Sequence, residues 1–165
     1  MLKMFSKLDL LIGAAGIRLV RKYRHFRKIP DIVFVKKNLA FGGYTPYVDL
    51  KKLKIDFVLD LREEKPKPSS TNIIDYQKIG IPDGKIPEKF QIKEIISILE
   101  DKLDAGSTVF IHCNLGRGRA TLITLLYLIH DGMDQSSALT LVRKRPFVYL
   151  NRTQLNFIKN FSEQN

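Results

Sequence analysis

The chain has 165 residues, 44% of them hydrophobic and 27% charged, a length and balance that suit one folded domain and exclude disorder along the whole of it. Its single cysteine, Cys113, excludes an intrachain disulfide and a cysteine-built metal cluster, and the three histidines, His25, His112 and His130, are scattered too widely for a local metal motif. The net charge of +11 is uneven: residues 1–30 hold eight Lys or Arg against Asp9 alone, whereas residues 31–165 hold 20 against 16.

The first segment, LDLLIGAAGIRLVRKYRHFRK, places Leu8, Leu11, Ile12, Ala15, Leu19 and Phe26 on one side of a predicted helix, with Arg18, Arg21, Lys22, Arg24 and Arg27 crowding its later part. The uncharged run from Leu10 to Ile17 is too short to cross a bilayer, which takes about 20 residues. Three readings stay open for residues 1–30: a helix packed on the domain or on a partner, an interfacial helix on an anionic membrane surface, and a targeting segment. A basic segment attracts anionic lipid, nucleic acid and acidic proteins alike, and charge does not choose among them.

After Pro30 the pattern is that of one α/β domain over residues 31–165. Asp31–Lys36 and Asn38–Phe41 read as short strands, with Gly42 and Gly43 as a turn, Val48–Lys54 as a brief helix and Ile55–Leu61, IDFVLDL, as a buried strand. Glu63–Ser70 is rich in lysine and proline and reads as an exposed loop. A weaker strand follows around Ile73–Ile79, then the loop IPDGKIP and a helix from Glu88 to Leu103. STVFIH, residues 107–112, is a strand that ends at Cys113. Helices are predicted for Arg119–His130, Gln135–Arg143 and Thr153–Phe161, with Pro146 breaking the chain between the last two. Strands alternating with helices predict a central, mainly parallel sheet flanked by helices and covered on both faces.

The turn between the STVFIH strand and the next helix carries the chemistry. In HCNLGRGR, five residues (Asn114, Leu115, Gly116, Arg117 and Gly118) separate Cys113 from Arg119. They are enough for a tight loop whose amides face inward at a helix N-terminus, a cup suited to a tetrahedral oxyanion. Arg119 closes that cup with a planar, bidentate guanidinium. The same positive field favours the Cys113 thiolate, a nucleophile placed to attack phosphorus and form a phosphocysteine without a metal or cofactor. A phosphate-recognition loop with an incidental cysteine is the bland alternative.

HCNLGRGR matches the HC-x-x-G-x-x-R signature of the cysteine-dependent protein tyrosine and dual-specificity phosphatases, and the resemblance extends from about Asn38 through Phe161. It implies Cys113 as nucleophile, Arg119 as phosphate ligand and, because IPDGKIP looks like the family's movable acid loop, Asp83 as general acid. FVLDLREE also resembles a family strand, without a separate role for its residues. Asp83 has a plain reading too, as a turn residue between Pro82 and Gly84. Strand alternation turns His112 away from Cys113, which suits a supporting role. Many family members carry Ser or Thr after the arginine; here Ala120 stands there and Thr121 follows, which predicts slow phosphoenzyme breakdown unless Thr121 reaches the sulfur.

For the substrate, the family default is protein phosphotyrosine or dual-specificity hydrolysis. Arg117 in the loop, and the likeness of RPFVYLNRTQLNFIKNF to the mitochondrial phosphatidylglycerophosphate phosphatase branch, keep a phospholipid headgroup as the alternative, with Gln154 placing water and Arg145 or Arg152 holding loops or meeting substrate. Nucleic acid is not expected as a partner, since no aromatic and basic stacking track is visible. The site implies a cytoplasmic or peripheral membrane location, or an organelle if residues 1–30 are a targeting segment.

Overall fold

The computed structural model describes residues 14–46, 48–64, 75–145 and 147–162. Leu8, Leu11, Ile12, most of the Glu63–Ser70 loop and the break at Pro146 therefore lie outside the described residues. The chain divides into two compact units, one ending at Asp31 and joined by residues around Thr45–Val48, the other formed by the rest.

In the first unit, α1 spans Ala14–Phe26, inside the predicted helical segment. Lys28, at φ 51°, turns the chain out of the helix. Arg24 donates to the Asp31 carboxylate at 2.8 Å, a contact within this unit. Leu19, Tyr23 and Phe26, spaced to share one helical face, are 67%, 58% and 82% exposed, so this apolar stripe is uncovered.

The second unit holds strands β1 (Ile32–Lys36), β2 (Leu39–Gly43), β3 (Phe57–Arg62), β4 (Asp75–Ile81) and β5 (Val109–Cys113) in the order β1-β2-β5-β3-β4. Only the β1/β2 pair is antiparallel; β2, β5, β3 and β4 run parallel. Helices α2 (Lys89–Asp104), α3 (Arg119–His130), α4 (Gln135–Val142) and α5 (Arg152–Ser162) follow. Each begins or ends on a local signal. The Gln91 side chain accepts from the Glu88 N–H at the start of α2, Asp134 accepts from Ser137 N–H at the start of α4, and Gly132, at φ 88°, ends the chain's exit from α3.

Period-two alternation sorts the strand residues between two faces. Leu39, Phe41, Phe57, Leu59, Leu61, Val109, Ile111 and Cys113 meet Ile95 and Leu99 of α2, Leu122, Leu125 and Leu126 of α3, Val142 of α4 and Ile158 of α5 in one core. Ala40, Val58 and Phe110 point the other way, against Ile55, Leu50, Leu53 and Tyr76. Helices therefore flank the sheet, but within this unit all four share one face. The opposite face carries the 3-10 turn Leu50–Leu53, where a brief helix was predicted. The reason is the near-continuous apolar character of α3, which is buried all round between β2, β5, α2, α4 and α5 and draws its neighbours to the same side.

Gly42 and Gly43 depart from the sequence reading. They make no turn; they end β2, opposite His112 and Cys113 of β5. Leu125 has no exposed surface and lies at the centre of the helical face. Leu125→Ala should lower the unfolding free energy by about 3 kcal/mol with an unchanged urea m-value, read from equilibrium urea denaturation.

Candidate active site

The site grows from a contact between backbones. Gly116 sits at φ 64°, in the left-handed region, and a Cβ placed there would lie 2.2 Å from the Gly42 carbonyl carbon and 2.4 Å from the Gly43 nitrogen. Only a residue without a side chain lets the 113–119 turn press onto the end of β2. Tyr44 N–H adds a hydrogen bond to the Asn114 carbonyl at 3.2 Å, continuing the β2/β5 ladder into the turn.

With the turn seated, Gly116 N–H donates to Cys113 Sγ at 3.2 Å. The sulfur is buried, lies on the helical face of the sheet and stands just before α3, whose N-terminus brings its partial positive charge to the turn. Thr121 is buried and its hydroxyl donates to the Gly116 carbonyl at 3.2 Å. The hydroxyl therefore braces the turn that Ala120, also buried, leaves without one of its own.

Three further bonds hold the turn from the segment after α4. Arg145 Nη2 donates to the Leu115 carbonyl at 2.7 Å, Arg117 Nε donates to the Phe147 carbonyl at 2.6 Å, and Tyr149 N–H donates to the Arg117 carbonyl at 3.0 Å. Phe147 takes φ 61° to present that carbonyl, a strained backbone for a bulky residue. Arg145 is a loop-holding residue in this geometry, and Arg152 is exposed.

Arg119 is the buried charge of the site, with 2% of its side chain exposed. Its Nη1 donates to Glu64 Oε2 at 2.8 Å, to the Ile81 carbonyl at 3.0 Å and to the Leu61 carbonyl at 3.3 Å, while Nη2 donates to Glu64 Oε1 at 3.0 Å. Nε lies 3.1 Å from Asp83 Oδ1. The guanidinium thus joins β3, β4 and the acid loop at one point. The hydrogen bonds from Arg119 hold the Glu64 carboxyl down at about 2, outweighing its partial burial. Burial works against the charge of Arg119, yet Glu64, Cys113 and Asp83 together hold its proton more firmly than usual.

Asp83 is exposed, at 81% of its side chain, between Pro82 and Gly84. The loop that carries it is fixed from α5: Asn151 Nδ2 donates to the Gly84 carbonyl at 2.8 Å and Gln154 Nε2 to the Lys85 carbonyl at 3.2 Å. Gln154 also accepts from the Asn151 N–H through Oε1 at 3.1 Å, so one end of its buried amide caps the start of α5 and the other reaches the loop.

His112 points to the other face of β5, as alternation requires, and its Nδ1 lies 3.3 Å from the Cys113 carbonyl oxygen. Burial pushes its imidazole down to about 4, against the opposing pull of Asp60. The structure thus gathers Cys113, the 114–118 turn, Arg119 and Asp83 at one end of the sheet, with Thr121 and Gln154 bracing them and His112 behind. Glu64 and Asn151 escaped the sequence reading. Glu64 sits in an acidic and basic run that reads as a solvated loop, and only its placement after a buried strand hinted otherwise. Among the described residues, no cluster of three or more His, Cys, Asp or Glu could hold a metal ion, and no helix is long and apolar enough to cross a membrane.

Comparison with known proteins agrees with this geometry. The family model described as dual specificity phosphatase, catalytic domain, matches residues 42–164. The phosphatidylglycerophosphate phosphatase PTPMT2 of Arabidopsis thaliana is 33% identical over 121 residues, covering 68% of this chain and 53% of that protein. The protein tyrosine phosphatase type IVA 3 of Bos taurus is 32% identical over 81 residues, 48% of this chain and 47% of that one, so the chain spans about half the length of these curated relatives. The crystal structure of Tk-PTP in the active form superposes with a TM-score of 0.72 at 25% identity, covering 83% of this chain and 99% of that one.

Two outcomes follow from the geometry. Gly116→Ala should cost about a hundredfold or more in binding of the phosphate analogue vanadate, because the turn must lift off β2, while circular dichroism stays native. Glu64 has its carboxyl held below its ordinary value, so its pairing with Arg119 contributes in full above about pH 5 and is lost as pH falls toward 2. The difference in urea midpoint between the native chain and Glu64→Gln should be constant above pH 5 and vanish toward pH 2.

Proposed function

The chain belongs to the dual specificity phosphatase family, and we propose that it hydrolyses phosphate monoesters through a phosphocysteine intermediate. The observation that carries this reading is the Cys113 sulfur, met by Gly116 N–H at 3.2 Å, in a turn closed by Arg119 with Asp83 3.1 Å away. The thiolate attacks phosphorus in line with the ester oxygen. The turn amides and Arg119 take up the charge on the three equatorial oxygens, the phosphate replacing a carboxylate as counter-ion of the guanidinium. Asp83 gives its proton to the departing oxygen, then as carboxylate takes one from the water that cleaves the S–P bond, and orthophosphate leaves. The residues at 112, 121 and 154 hold this geometry without touching the phosphate.

A phosphorylated protein, tyrosine-phosphorylated or of dual specificity, is the substrate class that the family favours. A second reading, a phospholipid headgroup, is supported by two observations. Arabidopsis thaliana relatives of 33% and 34% identity are named phosphatidylglycerophosphate phosphatases. The first unit carries an exposed apolar stripe, Leu19, Tyr23 and Phe26, beside Lys22, Arg27 and Lys28, the arrangement of a helix lying on an anionic bilayer. On that reading the protein is a peripheral membrane enzyme.

Cys113→Ser should abolish turnover of p-nitrophenyl phosphate, and Asp83→Asn should slow an alkyl phosphate about a hundredfold while slowing the activated aryl ester less than about tenfold. Full activity of Cys113→Ser, or equal losses in Asp83→Asn, would overturn these roles. A phosphate-release panel of phosphotyrosyl peptides, phosphatidylglycerophosphate and phosphoinositides separates the substrate classes. Tyr23→Glu with Phe26→Glu should weaken sedimentation with anionic vesicles and leave p-nitrophenyl phosphate hydrolysis intact; unchanged sedimentation would remove the membrane reading.

A further inference from the structure

Behind the nucleophile, on the sheet face opposite the four helices, lies a buried group of charges that the proposed chemistry does not use. Asp60 and Arg62 are two apart on β3 and so share that face, and Asp60 pairs in register with His112 of β5. Asp60 has no exposed side chain and Arg62 only 4%. Arg62 grips Asp60 with Nε at 2.9 Å from Oδ1 and Nη2 at 2.7 Å from Oδ2, and its backbone N–H also donates to Oδ1 at 2.9 Å. Tyr76 of β4 donates its hydroxyl to Oδ2 at 2.6 Å. The Tyr44 ring, just past the end of β2, lies 3.7 Å from the Arg62 guanidinium carbon and 5.6 Å from the His112 ring. Phe110 stacks on the imidazole at 5.4 Å.

These contacts fix the state of His112. Its Nδ1 faces two acceptors, the Cys113 carbonyl oxygen at 3.3 Å and Asp60 Oδ1 at 3.7 Å, so Nδ1 carries the proton. The Asp60 charge is cancelled by Arg62, and burial keeps the ring neutral. Burial also opposes the Asp60 charge, but the hydrogen bonds from Arg62 and Tyr76 overcome it and hold the carboxyl below its ordinary range.

We propose that Asp60, Arg62 and Tyr76 are positioning residues for Cys113, which hold His112 as the Nδ1–H tautomer so that its hydrogen bond to the Cys113 carbonyl fixes the residue from which the phosphate loop departs. The inference rests on Cys113 being the nucleophile. Its physical content is orientation: a β5 carbonyl pinned from behind keeps the next peptides, and the Gly116 N–H among them, aimed at the sulfur. Seen from the thiol, Arg119 at the start of α3, Glu64 beyond it, and Asp83 on the acid loop supply the charges in front, and the network supplies none net from behind.

That neutrality gives the test its sign. Removing the Asp60 charge alone leaves Arg62 positive behind the thiol, which by field alone speeds thiolate reactions, whereas loss of orientation slows them. Because the chain has one cysteine, its alkylation by iodoacetate at one fixed pH reads how the sulfur is presented, without any substrate. Tyr76→Phe, Asp60→Asn and the charge-free pair Asp60→Leu/Arg62→Met should each, in variants that melt cooperatively, slow alkylation by about three- to tenfold, the rate equivalent of a lost hydrogen bond. The kcat for p-nitrophenyl phosphate should fall in step with KM unchanged. Tyr76→Phe removes one hydroxyl from a half-buried ring and keeps the question answerable if the charge variants fail to fold. Alkylation at the native rate or faster in the folded variants overturns the proposal, whatever happens to Tm. Slowed alkylation of a chain that hydrolyses no ester in the panel upholds the positioning and refutes the phosphatase reading instead.

Discussion

The approach of Gly116 to Gly42 and Gly43 is the constraint on which the rest of the site depends. Backbone on backbone at this distance leaves no room for a methyl group at position 116, so glycine is required there. The contact places the amide that meets the Cys113 sulfur, and it fixes where α3 begins. Arg119, the first residue of that helix, is then delivered to the end of the sheet, where carbonyls from the ends of β3 and β4 and the Glu64 carboxylate meet it. A strand end, a turn and a helix start behave as one piece because their spacing is set by main-chain atoms, which have no rotamers to yield.

Most of this was legible where chemistry and local pattern coincide. Cys113, Arg119 and the glycines between them stand in one short segment, and α3 runs between the residues its apolar sequence predicted. Asp83 was singled out through the likeness of IPDGKIP to an acid loop, and the fold sets its carboxylate 3.1 Å from Arg119 Nε. What escaped were residues whose role comes from packing over long separations. Gly42 and Gly43 read as a turn because two glycines ordinarily make one, and only the position of Gly116, far along the chain, turns them into the end of a strand. Glu64 and Asn151 are of the same kind: each is an ordinary polar loop residue until its partner is known. Asp60 did carry a signal, since a carboxylate within an otherwise apolar strand must find a cation, but the sequence does not say that the cation is two residues on rather than across the sheet.

The site also shows how a small domain keeps several charges out of water. On one side of β5 Arg119 faces Glu64 and Asp83; on the other Arg62 faces Asp60, with two tyrosines and a neutral histidine completing the shell. Arg119 and Arg62 each have a carboxylate in bidentate reach, so the desolvation cost of these two cations is offset locally. This division explains the unequal faces of the sheet. The helical face supplies cohesion, while the opposite face, with its smaller apolar cluster, has space for a polar lattice at the same end as the turn.

The fastening of the acid loop has a mechanical consequence. Asn151 and Gln154 grip two successive carbonyls of the loop from the first turn of α5, and Asp83 faces Arg119 from the other edge. Outward travel of the loop therefore tears along two seams of different character. The seam at Asp83 is ionic and wet, and dissolved salt loosens it; the seam at α5 is made of neutral hydrogen bonds and is indifferent to salt. Ionic strength therefore acts on the Asp83 side of this loop and leaves its α5 side as it is.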